Sequence, residues 1–488
     1  MEPRKAKEKR PDHGRSDHKS RERGPDRRGD RPPRAKDNDQ GRDAAAGEDR
    51  EKRAERPIPA PTVPGQEARQ AALDIISLTS KGRTLDEALA NCRSFDDLEG
   101  SDRGLARLIA TTTLRQRGAI DEVLGNYVDR PLPKKAARAT NILRLTAAQT
   151  LFLKTPPHAA VSIAVALAQS FLETQGYAKL INAVSRKVSE KGPDLLSKVP
   201  PRINTPGWMW RAWERTYGAN ATRKIAAAHQ PEPNLDLTPK DPNMAEKIAE
   251  TLNGMLLPTG SIRLTSNAPI KNLIGFEEGE WWVQDTAATL PARLFGDLSG
   301  KSVIDLCAAP GGKTMQLASM GGRVLAIDQS GPRLKTVLEN LERTKLHAKL
   351  EKENALQWTP IEKVDAVLLD APCTATGTIR RHPDLLWTKT EDDVKGLSKI
   401  QAEMLDQAIK MVKPGGTLVY CVCSLQPEEG EKQIEAALKR HENIQRKPIE
   451  SHEIGGLEDA INKNGDLRTL PFMCDGIDGF FAARIIIS

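Results

Sequence analysis

The 488-residue chain predicts a doubly wound α/β domain built on a parallel sheet, standing behind an all-helical domain and a small α+β module. Three observations predict it. From Lys301 onward, short apolar runs alternate with longer amphipathic segments, and such alternation builds a parallel sheet with helices on both faces. The first of those runs enters a Gly-Gly turn and a helix start, in Asp305-Leu-Cys-Ala-Ala-Pro-Gly-Gly-Lys-Thr314. Before them, residues 65–195 carry apolar side chains at 3.6-type spacing, with few glycines and only short β-branched runs.

Taken in order, residues 1–60 are rich in Arg, Asp, Lys, Pro and Gly and nearly lack aliphatics before Ile58. They cannot bury enough apolar surface to fold alone and are expected to be disordered. Pro57-Ile-Pro-Ala-Pro-Thr-Val-Pro64 reads as a stiff, extended connector, so residues 1–64 form a tail and linker. In 65–195 the helical pattern is carried by Ala71–Leu78, Leu105–Leu114, Ile142–Leu151 and Val161–Leu167, with Pro156-Pro157 as a break. Lys134, Lys135, Arg138 and Arg144 make this domain locally basic, as a solvated face or as an RNA-facing patch. Residues 200–296 read as the small module. Its strands are Leu235–Thr238 and Ser261–Thr265, with a helix Ala245–Leu256 between them. Trp208, Trp210 and Trp213 crowd one segment and read as an aromatic anchor between domains rather than as a base-stacking platform.

The last domain, 297–488, gives strands at Ser302–Leu306, Arg323–Ile327, Ala348–Lys352, Ala366–Leu369 and Thr417–Val422. Helices are expected at Lys313–Met320, Pro332–Thr344, Glu391–Val412 and Glu428–His441, and Gly479–Ile487 is a closing β-rich run.

Charge and cysteine usage narrow the function classes. The formal charge is +7, but residues 1–60 hold 19 Lys/Arg against 14 Asp/Glu, a net of +5, which leaves +2 for the body. A basic tail on a near-neutral body suits non-specific attraction to a polyanion. No run of 18 apolar residues occurs, so no membrane span is expected, and no apolar h-region marks a secretory signal. The six cysteines do not form a disulfide framework and suit a reducing cytosol. No C-x-x-C pair or His cluster suggests a metal, and none is expected.

The strand ends carry the chemistry. In open α/β sheets ligands bind beyond the carboxyl ends of the strands. Here those ends are Asp305 with the glycine loop, Asp328, Glu353-Asn354, Asp370-Ala-Pro-Cys373 and Tyr420-Cys-Val-Cys423. The glycine loop is neither a Walker loop, which needs Gly where Cys307 stands, nor G-x-G-x-x-G. It still offers backbone N–H groups and a helix N-terminus to a nucleotide-type ligand. Asp328, 17 residues past Gly311, stands close to where a ribose-binding carboxylate belongs.

At this point the residues resemble a family. Asp305–Lys313, Asp370-Ala-Pro-Cys-Thr-Ala-Thr-Gly377, Arg380-Arg-His-Pro-Asp384 and Tyr420-Cys-Val-Cys-Ser-Leu-Gln-Pro-Glu-Glu429 are similar to the motifs of the RNA cytosine-C5 methyltransferases. The helical domain, with Pro156-Pro-His-Ala-Ala160, resembles a NusB-like domain of the bacterial branch that modifies small-subunit ribosomal RNA, and Asp478-Gly-Phe-Phe481 resembles that branch's C-terminal signature. The resemblance covers residues 66–488. It implies a Rossmann-like class I S-adenosylmethionine-dependent methyltransferase domain acting in the cytoplasm on small-subunit ribosomal RNA, as a monomer and with no membrane partner. S-Adenosylmethionine is the implied methyl donor, held by Cys307, Ala308, Ala309, Pro310, Gly311, Gly312, Lys313, Asp328, Asn354 and Asp370. The family has Asp where this chain has Asn354, whose amide both donates and accepts hydrogen bonds.

The implied chemistry explains the residue types. C5 of cytosine is a poor nucleophile. A thiolate adding to C6 makes C5 enamine-like, so that it can attack an electrophilic methyl group. The base must also leave any stack. Either cysteine is chemically able to add. The family resemblance assigns attack to Cys423 and the release of product to Cys373, with Asp370 and Lys313 beside the reacting base. Arg380 and Arg381 are expected to offset phosphate charge. Two other readings are an assembly factor with a dead methyltransferase fold, which complete cysteine motifs oppose, and a small-molecule or DNA methyltransferase, which the helical front domain opposes.

Overall fold

The computed structural model describes residues 63–128, 130–265 and 269–488. The tail and most of the Pro-rich connector lie outside these residues.

The helical domain consists of α1 (Gln66–Ser80), α2 (Leu85–Ala90), α3 (Arg93–Asp96), α4 (Gly100–Arg115), α5 (Arg117–Gly125), α6 (Ala137–Leu151), α7 (Pro157–Gln169) and α8 (Ala178–Leu196). Their apolar stripes meet in one core that includes Leu73, Ile76, Ile109, Ile120, Ile142 and Leu167. Thr84 and Glu87 close a capping box at the start of α2, which satisfies two otherwise orphan donors. Two of the four basic residues noted above are engaged inside the domain. Arg138 reaches Asp74 at 3.1 Å and Glu173 at 2.6 Å, and Arg144 reaches Asp121 at 2.6 Å. Lys134 and Lys135 are exposed.

A helix that the sequence does not announce follows, α9 (Gly207–Ala228). Its period is interrupted by Gly218, which sits at φ 80° and breaks the helical path. Met209, Trp213 and Ile225 pack against Ile379, Leu385, Leu386 and Leu425 of the last domain. Trp213 is fully buried, so the aromatic cluster is an interdomain anchor, as expected.

The small module is a four-stranded antiparallel sheet in the order β2-β3-β1-β4, from β1 (Leu235–Pro239), β2 (Met255–Leu256), β3 (Ile262–Leu264) and β4 (Trp281–Val283). The expected helix Ala245–Leu256 is corrected. Helix α10 (Ala245–Thr251) stops short of that, and Met255–Leu256 form an edge strand. Asn253 adopts a positive φ, and a side chain at Gly254 would meet Leu264 at 2.6 Å, so the chain turns sharply there. Helix α11 (Thr286–Arg293) is capped by Asp285 and packs Ala287, Leu290 and Ala292 into the core of the last domain.

That domain contains β5 (Ser302–Leu306), α12 (Gly312–Ser319), β6 (Arg323–Ile327), α13 (Gly331–Thr344), β7 (Ala348–Glu351), β8 (Val364–Asp370), α14 (Leu385–Thr388), α15 (Glu391–Met411), β9 (Val412–Val422), α16 (Glu431–Arg440), β10 (Ile444–Arg446), β11 (Leu467–Thr469) and β12 (Phe480–Ile487). The sheet runs β10-β12-β9-β8-β5-β6-β7, with β11 on β12. Strands β7, β6, β5, β8 and β9 pair in parallel; β12 pairs with β9 antiparallel. Alternate residues serve opposite faces. Ile304, Val367, Leu369 and Leu418 meet α15 and α16, whereas Val303, Leu368 and Val419 meet α11 and α12. The last helix starts at Glu431 rather than Glu428, because Pro427–Gly430 form a turn. From β5 the chain steps outward to β6 and β7 and then returns to β8. The strand order therefore reverses between β5 and β8, which is where this architecture opens its ligand crevice.

Candidate active site

The carboxyl ends of β5, β6, β8 and β9 open into a cavity of about 1160 Å³. The glycine loop forms one wall. Gly311 at φ 103° is the residue before α12, and the first residues of that helix, Gly312 and Lys313, lie on the cavity wall. Cys307, Ala308, Ala309, Pro310, Gly312 and Lys313 line the cavity, together with Asp328 and Asn354. Asp328 is almost fully buried; its carboxylate accepts from the N–H of Ala309 at 3.2 Å and of Ser330 at 2.9 Å. Arg333 approaches the same carboxylate at 3.4 Å. Asn354 turns its Oδ1 to the N–H of Leu356 at 3.0 Å.

The opposite wall carries the sulfurs. Cys373 Sγ and Cys423 Sγ lie 3.6 Å apart, beyond the adjacent strands β8 and β9. The hydrogen bond to Cys423, burial and the Cys423 charge push the Cys373 thiol well above its ordinary range. Either sulfur can donate in that contact. Cys421, two residues before Cys423, is fully buried in the strand and held protonated by burial and by Asp370. Cys307 is pushed up to about 12 by burial and by Asp370, so its thiol is inert at neutral pH.

Between the walls, Lys313 Nζ donates to Asp370 Oδ2 at 2.8 Å and lies 4.9 Å from the centre of the Phe480 ring. Burial works against the ammonium, but Asp370 outweighs it and keeps Lys313 charged. Asp305 is fully buried at the end of β5. Its Oδ2 accepts from Thr314 Oγ1 at 2.6 Å, while its Oδ1 has no partner. Burial pushes the Asp305 carboxyl up to about 7.

The arginines divide. Arg380 is buried and reaches Asp285 at 2.9 Å and Asp478 at 3.5 Å, so the expectation that it faces phosphate is corrected: its charge is already neutralised inside the fold. Arg381 is 40% exposed at its side chain and lies on the cavity wall, paired with Asp478 at 2.5 Å. The segment that carries both is gripped by the helical domain. Arg115 donates to the carbonyl of Arg380 at 2.8 Å, Trp387 donates to the carbonyl of Leu114 at 2.7 Å, and the Leu85 N–H donates to Asp384 at 3.0 Å. Thr84 and Asp86 thereby reach the cavity rim.

A family model described as 16S rRNA methyltransferase RsmB/F matches residues 297–486, and one described as the NusB family matches residues 66–190. The ribosomal RNA small subunit methyltransferase B of Cronobacter sakazakii is 31% identical over 436 residues, covering 85% of this chain and 97% of its own length. The chain belongs to the ribosomal RNA small subunit methyltransferase B family. The protein of that name from Salmonella arizonae is 32% identical over 435 residues, with the same coverage. The crystal structure of PH0851 has the same fold, with a TM-score of 0.68 at 23% identity over 87% of this chain and 99% of that one. The crystal structure of NSun6 from Pyrococcus horikoshii with SFG reaches a TM-score of 0.50 at 19% identity, over 58% of this chain and 98% of its own.

As a member of the methyltransferase B family, the chain is an S-adenosylmethionine-dependent rRNA methyltransferase. The residues fit that donor. Asp305 lines the cavity and has a buried carboxylate oxygen without a partner, Oδ1, which suits an ammonium group. Asp328 suits a ribose, and Ile327, Ala355 and Leu356 add apolar surface to the cavity lining. Sequence reasoning read Asp305 as a strand-end carboxylate but gave it no role; its missing partner is visible only in three dimensions. Gln284 and Thr84 enter the wall from other domains and carry no sequence signal.

Proposed function

We propose that this methyltransferase B family member methylates C5 of a cytosine in small-subunit ribosomal RNA, through a covalent bond between Cys423 and C6. The observation that supports it is the 3.6 Å approach of two cysteine sulfurs beside the Lys313–Asp370 pair in one cavity. S-Adenosylmethionine supplies an electrophilic methyl group there, with Cys307–Lys313, Asp328, Asn354 and Asp370 as its contacts. Lys313 keeps a proton within reach of Asp370, and that pair holds a proton at the ring edge of the cytosine as Cys423 adds to C6. Electrons then move to C5, which takes the methyl group. A base takes the C5 proton as the C6–S bond breaks and Cys423 leaves as a thiolate, which restores the ring, with Cys373 assisting that release. Arg381, on the cavity wall, is the phosphate-facing cation. The chain acts as a monomer in the cytoplasm in this reading.

A tritium-methyl transfer assay on ribosomal RNA and on DNA tests it, followed by bisulfite sequencing of the labelled RNA. Label confined to cytosine C5 in RNA is expected. Label in DNA, or in a base other than cytosine, would overturn the reading.

A further inference from the structure

One buried carboxylate lies outside the reacting set and touches both cysteine loops. Glu429 is fully buried in the turn after β9. Its Oε1 accepts from the N–H of Thr374 at 2.8 Å and from Gln401 Nε2 at 3.1 Å. Its Oε2 accepts from the hydroxyls of Thr374 and Ser424, each at 2.5 Å. Thr374 follows Cys373 and Ser424 follows Cys423. One carboxylate thus holds the residue after each sulfur. Four donors fill the four lone-pair positions of an ionised carboxylate, which no other side chain of this size offers. Gln401 extends the clasp by donating to the carbonyl of Pro372, the residue before Cys373, at 2.8 Å.

The strands alone do not set the sulfur spacing. Pairing of β8 with β9 ends at Asp370 and Cys421, short of both sulfurs. Beyond it, the N–H of Ala371 bonds the Cys421 carbonyl, and that of Gly377 bonds the Cys423 carbonyl, each at 3.0 Å. The stretch between, which carries Cys373, is tied by Glu429 and Gln401, by hydroxyl contacts of Thr374 and Thr376 with Ser424, each at 3.3 Å, and by the Leu425 N–H on Thr376 Oγ1 at 3.0 Å.

We propose that Glu429 is a positioning residue that fixes the Cys373–Cys423 spacing by clasping the two cysteine loops. Its role in catalysis rests on the assignment of Cys423 and Cys373 as the reacting sulfurs, but its role in spacing does not. Glu429→Gln replaces two acceptor sites with an NH₂ group, which then faces donors. The Thr374 and Ser424 hydroxyls must then turn to accept where they now donate, and the charge-assisted hold on the two loops is lost.

The experiment reads spacing and chemistry separately, on the full chain. Diamide removes two electrons and two protons from two thiols, so that an S–S bond forms and diamide becomes its hydrazine. Sulfurs 3.6 Å apart are poised for this. The rate of the Cys373–Cys423 disulfide, located by peptide mass spectrometry, should fall at least tenfold in Glu429→Gln. S-Adenosylmethionine affinity should stay within twofold of the parent. Covalent adduct formation with RNA carrying 5-fluorocytosine should fall at least tenfold as well. Disulfide formation at the parent rate overturns the proposal. Slowed disulfide formation with no RNA adduct even in the parent supports the clasp and overturns the cytosine reading. Thr374→Val and Ser424→Ala each remove one donor and should each slow the disulfide by a smaller factor. Parent rates in both would overturn the clasp even if Glu429→Gln failed to fold.

Discussion

Lys313 Nζ stands 2.8 Å from Asp370 Oδ2, and the two side chains occupy the floor between the donor loop and the paired sulfurs. Neither group is fully exposed, so each needs the other: an unpaired ammonium or carboxylate there carries a desolvation penalty. Lys313→Met should destabilise the fold by about 2 kcal/mol, below the fully buried case because Asp370 is 29% exposed. Asp370→Asn keeps the shape but removes the proton-sharing partner. It should slow single-turnover methylation by about 100-fold or more, the usual contribution of positioned proton transfer. A near-parent rate would remove Asp370 from the chemistry.

Asp328→Ala should weaken S-adenosylmethionine binding by about 1.5–3 kcal/mol, as for hydrogen bonds to a charged group. Asp328 also ties the N–H of Ala309, so part of the loss is a looser donor loop. Isothermal calorimetry measures it, and unchanged affinity would take Asp328 out of the donor site.

Asp305 predicts a pH dependence. Its folded-state pKa of about 7 is above its ordinary value of 3.8. The folded state therefore binds the extra proton between those values, and the stability this group contributes is present below pH 4 and lost as pH rises through 7. Asp285, also raised, to about 6, adds to that slope, so Asp305→Asn should flatten only part of it. Donor binding runs the other way. An ammonium at Oδ1 needs the carboxylate, so S-adenosylmethionine affinity should rise between about pH 6 and 7.5 and lose that rise in Asp305→Asn. Titration calorimetry at several pH values distinguishes these curves. An unchanged slope in the variant would place the ammonium elsewhere.

The parallel sheet and the glycine loop were legible because βα alternation writes itself into composition: apolar runs such as Ser302–Leu306 end in polar residues where the crevice lies. What stayed illegible has physical causes. Helix α9 was hidden because Gly218 interrupts its period, and β2 because two residues after Gly254 carry too little pattern to outweigh a helical stretch before them. Arg380 looked like a phosphate ligand because a sequence displays charge but not the carboxylates of Asp285 and Asp478 that meet it across about 100 residues. Glu429 lay inside a motif already noted, yet its clasp on Thr374 exists only once β8 and β9 are neighbours.

The domain boundary has a measurable consequence. Helix α11 lies before residue 297, but its Leu290, together with Leu294 just after it, is buried in the core beneath the sheet. A fragment 297–488 uncovers that core and loses about 1.5–3 kcal/mol for each such side chain. A fragment 285–488 should melt well above 297–488 and retain donor binding, while losing RNA affinity with the front domains. Equal melting temperatures would show that α11 is dispensable to the sheet. Full-rate RNA methylation by 285–488 would show the same of the helical domain.

The two cysteines should fail differently. The contact with Cys423 and burial raise the Cys373 thiol well above its ordinary range, and the two sulfurs lie 3.6 Å apart. Cys423→Ala should form no covalent RNA adduct and transfer no methyl group. Cys373→Ala removes the assisting sulfur but leaves the attacking one, so addition and methyl transfer should proceed and release should stall. The expected signature is a protein–RNA adduct that survives denaturing gels in Cys373→Ala and is absent in Cys423→Ala. Cys421→Ala should show neither defect, because its side chain is buried in β9 and faces Asp370 across the sheet rather than the second sulfur. Adduct in Cys423→Ala and none in Cys373→Ala would reverse the two roles.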